Sequence, residues 1–266
     1  MKIIFTADQH IYYGNQQKAV QDMMTAIRKE HPDVICSCGD VGEVLISRDF
    51  CLVEELFSIN PTLWIAGNHD LYSQERDIPP VALDRFLKVI KCGIPLQTSW
   101  TDTKTVYEKD GVLFLGTMGL CDFSHPKMMM PVKYYDARCC TIDGEYLNLK
   151  CGFVQYANTL SDAFEKKLKL VDESACKNII IITHYSIFES QYKLSYDEEI
   201  SAYFYSHGLG KIVKEVAKRN PDKKFYCISG HGHFFNRGEW ISETSNIIVH
   251  GIKTDYNLQR FEVLEI

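Results

Sequence analysis

Nine side chains able to bind a cation or move a proton stand at five points of the sequence. They are Asp8 and His10 in "ADQH", Asp40 in "CGD", Asn68, His69 and Asp70 in "GNHD", His184 in "THY", and His231 and His233 in "GHGH". Five of the chain's nine histidines fall at these points, and imidazole is the commonest protein metal ligand near neutral pH. Brought together, so many nitrogen and oxygen donors need a cation to offset their desolvation. One tetrahedral ion uses four of them. The seven residues Asp8, His10, Asp40, Asn68, His184, His231 and His233 therefore suggest two ions. A carboxylate has two oxygens, so one aspartate can bridge the pair, which closes the count at four donors per ion.

Mixed imidazole and carboxylate donors suit manganese, iron, zinc, cobalt or nickel, divalent or trivalent, rather than magnesium or calcium. Manganese is the first choice in vitro. No thiol enters the set, which argues against a structural cysteine–zinc site. Two such ions about 3.5–4 Å apart suit in-line displacement at phosphorus, a shared hydroxide attacking while the ions neutralise the developing charge. His69 is left over from the ligand set and reads as the general acid on the leaving oxygen. Asp70, adjacent to it, reads as the group that orients that imidazole and keeps it protonated.

Each of these points lies behind an apolar run. Strands are predicted over 2–8, 33–40, 62–67, 178–185 and 224–233, and the polar residues stand at their ends. "NIIIITHY" has the continuous apolar profile of a strand buried on both faces. Helices are predicted over 16–30, where Ala19, Val20, Met23, Met24 and Ile27 share a face, and over 49–59, 80–91, 155–174 and 208–219. This alternation argues for a layered α/β fold. In such folds the carboxyl ends of strands form the crevice where ligands bind. "KTVYEKDGVLFLGT" reads as a hairpin turning at Asp110-Gly111. The tail from Glu239 onward reads as antiparallel strands. As strand residues flanking Gly232, His231 and His233 would share one face.

Composition narrows the rest. A chain of 266 residues, 45% hydrophobic, has ample material for one core, and the absence of linkers and repeats reads as a single domain over 1–266. An irregular insertion is expected around 118–152. A net charge of -6 without a long basic block disfavours a nucleic-acid-coating role. No run is long enough to span a bilayer, and the N-terminus lacks a secretory stretch, so a soluble cytoplasmic protein is expected. The 10 cysteines, irregularly placed, read as reduced thiols, with Cys36 and Cys38 as small core residues on one strand face.

The motifs "DQH", "GD", "GNHD", "THY" and "GHGH", in this order and each behind a strand, closely resemble the signature of the calcineurin-like metallophosphoesterase family. The resemblance spans residues 8 to 233. It implies a four-layer α/β/β/α sandwich, two mixed β-sheets packed face to face with helices outside. It also implies a division of ligands: Asp8, His10, Asp40 and His233 on one metal, and Asp40, Asn68, His184 and His231 on the other, with Asp40 bridging. "GDVGEVL" departs from the G-D-x-x-D-R-G of the related protein phosphatases, which disfavours that activity. Glu43, in the place of that motif's second aspartate, reads either as support for a metal ligand or as a helix start. "DQHIYYG" fits the D-x-H-L-G of related nucleases only loosely.

The expected function is metal-dependent hydrolysis of phosphate esters, as a phosphodiesterase or small-molecule phosphatase. The alternatives are a nuclease acting on DNA or RNA ends and a non-catalytic metal-binding scaffold. Substrate selection would fall to residues 71–80, 118–152 and 185–207. There Tyr185 and Ser186 line the pocket, and Lys127, Lys133 or Arg138 meets a phosphate oxygen.

Overall fold

Strand alternation divides the apolar residues between two faces, and that division builds the layers. The computed structural model describes residues 1–11, 16–45, 51–59, 61–72, 78–124, 149–193, 201–254 and 260–266. Most of the expected insertion, including Lys127, Lys133 and Arg138, lies outside the described residues.

Strands β1 (Lys2–Thr6), β2 (Val34–Ser37), β3 (Thr62–Trp64) and β4 (Ile94–Pro95) run parallel. In the same sheet β11 (Glu262–Glu265) lies antiparallel on the outer side of β1, giving the order β11-β1-β2-β3-β4. The second sheet holds β5 (Tyr107–Lys109), β6 (Val112–Thr117), β7 (Asn178–Thr183), β8 (Lys224–Ser229), β9 (Ile241–Ser242) and β10 (Ile247–Gly251). Its order is β5-β6-β7-β8-β10-β9. Here β6, β7, β8 and β10 are parallel, and the edges β5 and β9 are antiparallel. The five helices are α1 (Gln16–Glu30), α2 (Cys51–Phe57), α3 (Pro79–Val89), α4 (Leu149–Glu173) and α5 (His207–Arg219) among the described residues.

Three apolar layers hold these elements. Ile3, Phe5, Val34, Cys36 and Leu63 of the first sheet meet Phe114, Ile180, Ile182 and Ile228 of the second. The opposite side of the first sheet, through Ile4, Ile35 and Trp64, receives Val20, Met23 and Ile27 of α1, Leu56 of α2 and Phe86 of α3. The outer side of the second, through Ile179, Ile181 and Cys227, receives Phe164 and Leu168 of α4 and Val213 of α5. The fold is thus an α/β sandwich of two mixed sheets flanked by helices. It explains the unbroken run of β7, whose odd residues face helices and even residues face the other sheet. Pro79 opens α3, where its missing N–H costs no helical bond. Asp110 and Gly111 both take positive φ, 48° and 76°, the geometry of a tight hairpin between β5 and β6.

Two expectations change. α4 begins at Leu149, earlier than its periodicity indicated. The tail is not wholly antiparallel: β10 runs parallel to β8. The reason is the path of residues 230–246, which carry the chain from the end of β8 back to its start, where Phe225 N donates to Asn246 O at 2.8 Å. Cys36 and Cys38 are fully buried between the sheets, and burial raises both thiols above their usual range. Cys36, Cys38, Cys51, Cys92, Cys121, Cys176 and Cys227 are free thiols. No helix among the described residues is long and apolar enough to cross a membrane.

Candidate metal centre

The polar residues follow strands directly: Asp8 and His10 after β1, Asp40 after β2, Asn68 to Asp70 after β3, His184 after β7, His231 and His233 after β8. The parallel strands end side by side, so these residues collect at one rim. Backbone bonds tie the rim across strands: Asp8 N donates to Gly39 O at 3.0 Å, and His10 N to Asp40 O at 3.1 Å. Between the sheets, His231 N donates to Asp8 Oδ1 at 2.9 Å, and His184 Nδ1 lies 2.8 Å from Cys38 O.

The imidazoles and carboxylates form three overlapping groups with ligand atoms within 4.8 Å of one another. One is Asp8, His10 and His233, a second Asp40, His184 and His231, a third His10, Asp40 and His69. His10 Nε2 and His233 Nε2 face each other at 3.0 Å, with Asp8 Oδ1 3.7 Å from the latter. Asp40 stands between the groups. Its Oδ1 accepts the His69 N–H at 2.8 Å, while its Oδ2 lies 3.2 Å from His184 Nε2 and 3.8 Å from His10 Nε2.

Protonation chemistry tests whether this set fits a cation. A carbonyl only accepts, so His184 Nδ1 carries the proton toward Cys38 O, and in the neutral ring Nε2 bears a lone pair. That lone pair faces two further acceptors, Asn68 Oδ1 at 2.9 Å and Asp40 Oδ2 at 3.2 Å. The amide is oriented by Tyr72, whose hydroxyl receives Asn68 Nδ2 at 3.3 Å. His231 Nε2 lies 3.3 Å from Tyr203 O, which leaves Nδ1 as its ligand atom. Lone pairs converging in a buried space call for a shared positive charge, and backbone carbonyls holding the far imidazole nitrogens are the usual support of metal-ligating histidines. The residues fit a bound metal.

Charge effects agree for most of the set. The exception is His184, where burial opposes a charge but Asp40 and Asp8 outweigh it and raise the ring to about 9. Without a cation, a proton on Nε2 therefore takes the place facing Asn68 and Asp40. Burial pushes the His10 imidazole down to about 3 and holds His231 well below its usual range, so both stay neutral and able to donate a lone pair. Burial raises Asp8. It also raises Asp70, together with the Asp40 charge, to about 7. Asp40 is driven well below the carboxylate range: burial opposes its charge, but His184, His69 and His10 outweigh it. Burial likewise opposes a charge on His69, yet Asp40 and Glu43 raise it above the usual value.

Two readings are corrected here. Asp70 does not orient the His69 ring. Its buried carboxylate accepts N–H groups from Asp40 and Gly67 at 2.8 Å each, and from Gly42 at 3.1 Å. The carboxylate beside the ring is Glu43, with Oε1 3.5 Å from His69 Nδ1. Neighbours in a tight turn point in different directions, so adjacency misled. His231 and His233 do not share a face either. β8 stops at Ser229, both residues take left-handed φ, and each ring joins a different group. Tyr185 does line the centre, its ring 4.2 Å from that of His231.

Residues 1–235 match the sequence model of the calcineurin-like phosphoesterase family. No curated protein matches the chain. Similar solved structures include a phosphopantetheinyl hydrolase from Mycobacterium tuberculosis, 12% identical over 95% of this chain and 89% of that one, TM-score 0.64. A dimetal phosphatase from Danio rerio is 14% identical over 99% and 91%, TM-score 0.58. GAP50, the anchor in the inner membrane complex of Plasmodium, is 13% identical over 95% and 71%, TM-score 0.51.

Proposed function

The chain belongs to the calcineurin-like phosphoesterase family, and from that premise we propose that it hydrolyses phosphodiesters or small phosphomonoesters with two metal ions. Asp8, His10, Asp40 and His233 would hold one ion, and Asp40, Asn68, His184 and His231 the other. When bound, such ions supply positive charge to the phosphoryl oxygens and acidify water. The remaining work falls to the chain. His69, its side chain 21% exposed, held by its N–H to Asp40 and faced by Glu43, is the proton donor to the leaving oxygen. Glu43 fixes its Nδ1 end, which leaves Nε2 for the transfer. Asp70 clasps the loops carrying Asp40 and Asn68, so that both donors keep their places. The reduced thiols support a cytoplasmic location.

One observation carries the reading. Asp40 Oδ2 is buried and lies 3.2 and 3.8 Å from ring nitrogens of both groups, His184 Nε2 and His10 Nε2, the place of a bridging ligand. The test uses purified protein, manganese, bis-p-nitrophenyl phosphate and the monoester. Nitrophenol release is expected only with metal, and Asp40→Ala should abolish it along with metal content by elemental analysis. Metal-independent or absent release from both esters, with Asp40→Ala indistinguishable from wild type, would sink the proposal. Metal-free protein without affinity for manganese would favour the scaffold reading.

A further inference from the structure

One side of the centre is built from aromatic rings. The His231 ring lies 4.7 Å from that of Phe204. Phe204 stacks on Tyr192 at 5.5 Å and meets Phe235 at 5.9 Å, and Tyr192 and Phe235 close the triangle at 5.8 Å. The turn His233–Phe235 leads from a candidate ligand straight to the surface, where Phe234 is 50% and Phe235 37% exposed. Their backbone is pinned. Lys193 N donates to Phe235 O at 2.7 Å, and the next residue, Asn236, anchors its Nδ2 to Gly230 O and Ile252 O at 3.1 and 2.7 Å.

Leaving a phenylalanine in water forfeits roughly 1.5–3 kcal/mol of burial. The other large exposed hydrophobics among the described residues, Ile78, Val81 and Val263, are all aliphatic. The exposed Phe235 ring thus adjoins a candidate ligand, His231, through Phe204. Phe204 lies one ring spacing from His231, and Phe235 lies one spacing beyond it. Exposed ring faces and edges favour another planar ring by offset or edge contact, over an alkyl chain.

Resting on the phosphoesterase reading, we propose that Phe204 and Phe235 form a subsite for a planar aromatic group on the retained alcohol of a phosphodiester. The preferred substrate is then a phosphate ester of a ring-bearing alcohol, a nucleoside or an aryl compound, rather than of a small aliphatic one.

The experiment compares p-nitrophenyl esters of methyl, phenyl and thymidine 5′-phosphate on the manganese-loaded protein. The leaving group is constant and the intrinsic reactivity of each ester is the same for every protein, so the change in the kcat/KM ratio from wild type to variant reports recognition of the retained group. At least one ring ester should exceed the methyl ester on the order of tenfold. A lead by thymidine assigns a nucleobase, a lead by phenyl an aryl group. Phe235→Ala and Phe204→Leu should bring the ratio near one, while Val263→Ala, on β11, keeps it. A ratio near one in wild type, or one unmoved by both phenylalanine variants, overturns the subsite and leaves the phosphoesterase intact. Calorimetric titration with phenylphosphonate and methylphosphonate separates the remaining case. If no ester is cleaved but phenylphosphonate binds tighter and Phe235→Ala removes the difference, the subsite stands and the phosphoesterase reading falls. Equal affinities with no cleavage defeat both.

Discussion

Five of the seven candidate ligands take a backbone conformation that side chains avoid. Asp8, His10, Asp40, His231 and His233 have φ of 57°, 42°, 56°, 64° and 40°, at a cost of roughly 1–3 kcal/mol each. The bends aim ligands into the rim, and glycines make the space. Gly39 has φ of 90°, and a Cβ there would come within 2.6 Å of Gly67 N. A Cβ on Gly67 would overlap Asp40 Oδ1. Two loops meet backbone to backbone with room only for hydrogen. Gly67→Ala should therefore displace Asp40 and lower metal-dependent hydrolysis by about a hundredfold or more, with bound metal falling in parallel. Full activity and metal content in that variant would show that the loops have slack. The donor types and their strand-end positions were readable from the text alone. The role of Glu43 was not, because its partner His69 lies in another loop and only the fold brings them together. Asp70 reads as catalytic beside His69, yet three buried backbone donors claim its oxygens.

At the level of elements, the strands and helix faces followed from periodicity, because each strand alternates between two buried surfaces and each helix has one. Periodicity is silent about polar side chains on the inner face of a helix. Lys167 of α4 is such a case: it is 1% exposed. Its Nζ donates to Leu96 O at 2.7 Å, Gly116 O at 3.2 Å and Asp102 Oδ2 at 2.9 Å. It fastens α4 to both sheets, through a partner that spacing along the helix cannot reveal. Burial lowers the lysine more than Asp102 restores it. Burial alone would raise Asp102, but the Lys104 N–H and the Lys167 ammonium hold it well below its usual range. Lys167→Met keeps the packing and removes the charge, and should cost about 3 kcal/mol near neutral pH. A depressed carboxylate stabilises the fold above its unfolded pKa near 3.9, and the contribution fades as pH falls toward the folded value. The deficit of Lys167→Met should thus shrink below about pH 4 in denaturant melts. A deficit equal at pH 7 and pH 3 would place the loss in packing instead of in the ion pair.

For the molecule as a whole, the centre is a joint between two sheets. Asp8, His10, Asp40 and Asn68 follow strands of one, and His184, His231 and His233 follow strands of the other. The joint confines the carboxylates of Asp8, Asp40 and Asp70, and burial first, with the Asp40 charge adding to it, raises both of Asp40's neighbours. A bound cation reverses that repulsion and adds bonds across the interface, bonds the unfolded chain cannot assemble. Manganese at about a hundred times its Kd should then stabilise the fold by about 2.7 kcal/mol. For a chain near this size that raises Tm by roughly 5–10 °C over protein in chelator. Asp40→Asn, with one anionic donor fewer between the two groups, should gain far less from the same manganese. If wild type and Asp40→Asn melt alike with and without the metal, the donors are already satisfied among themselves. The sheets would then be held by their apolar layer alone, and the convergence of imidazoles at the rim would need another cause.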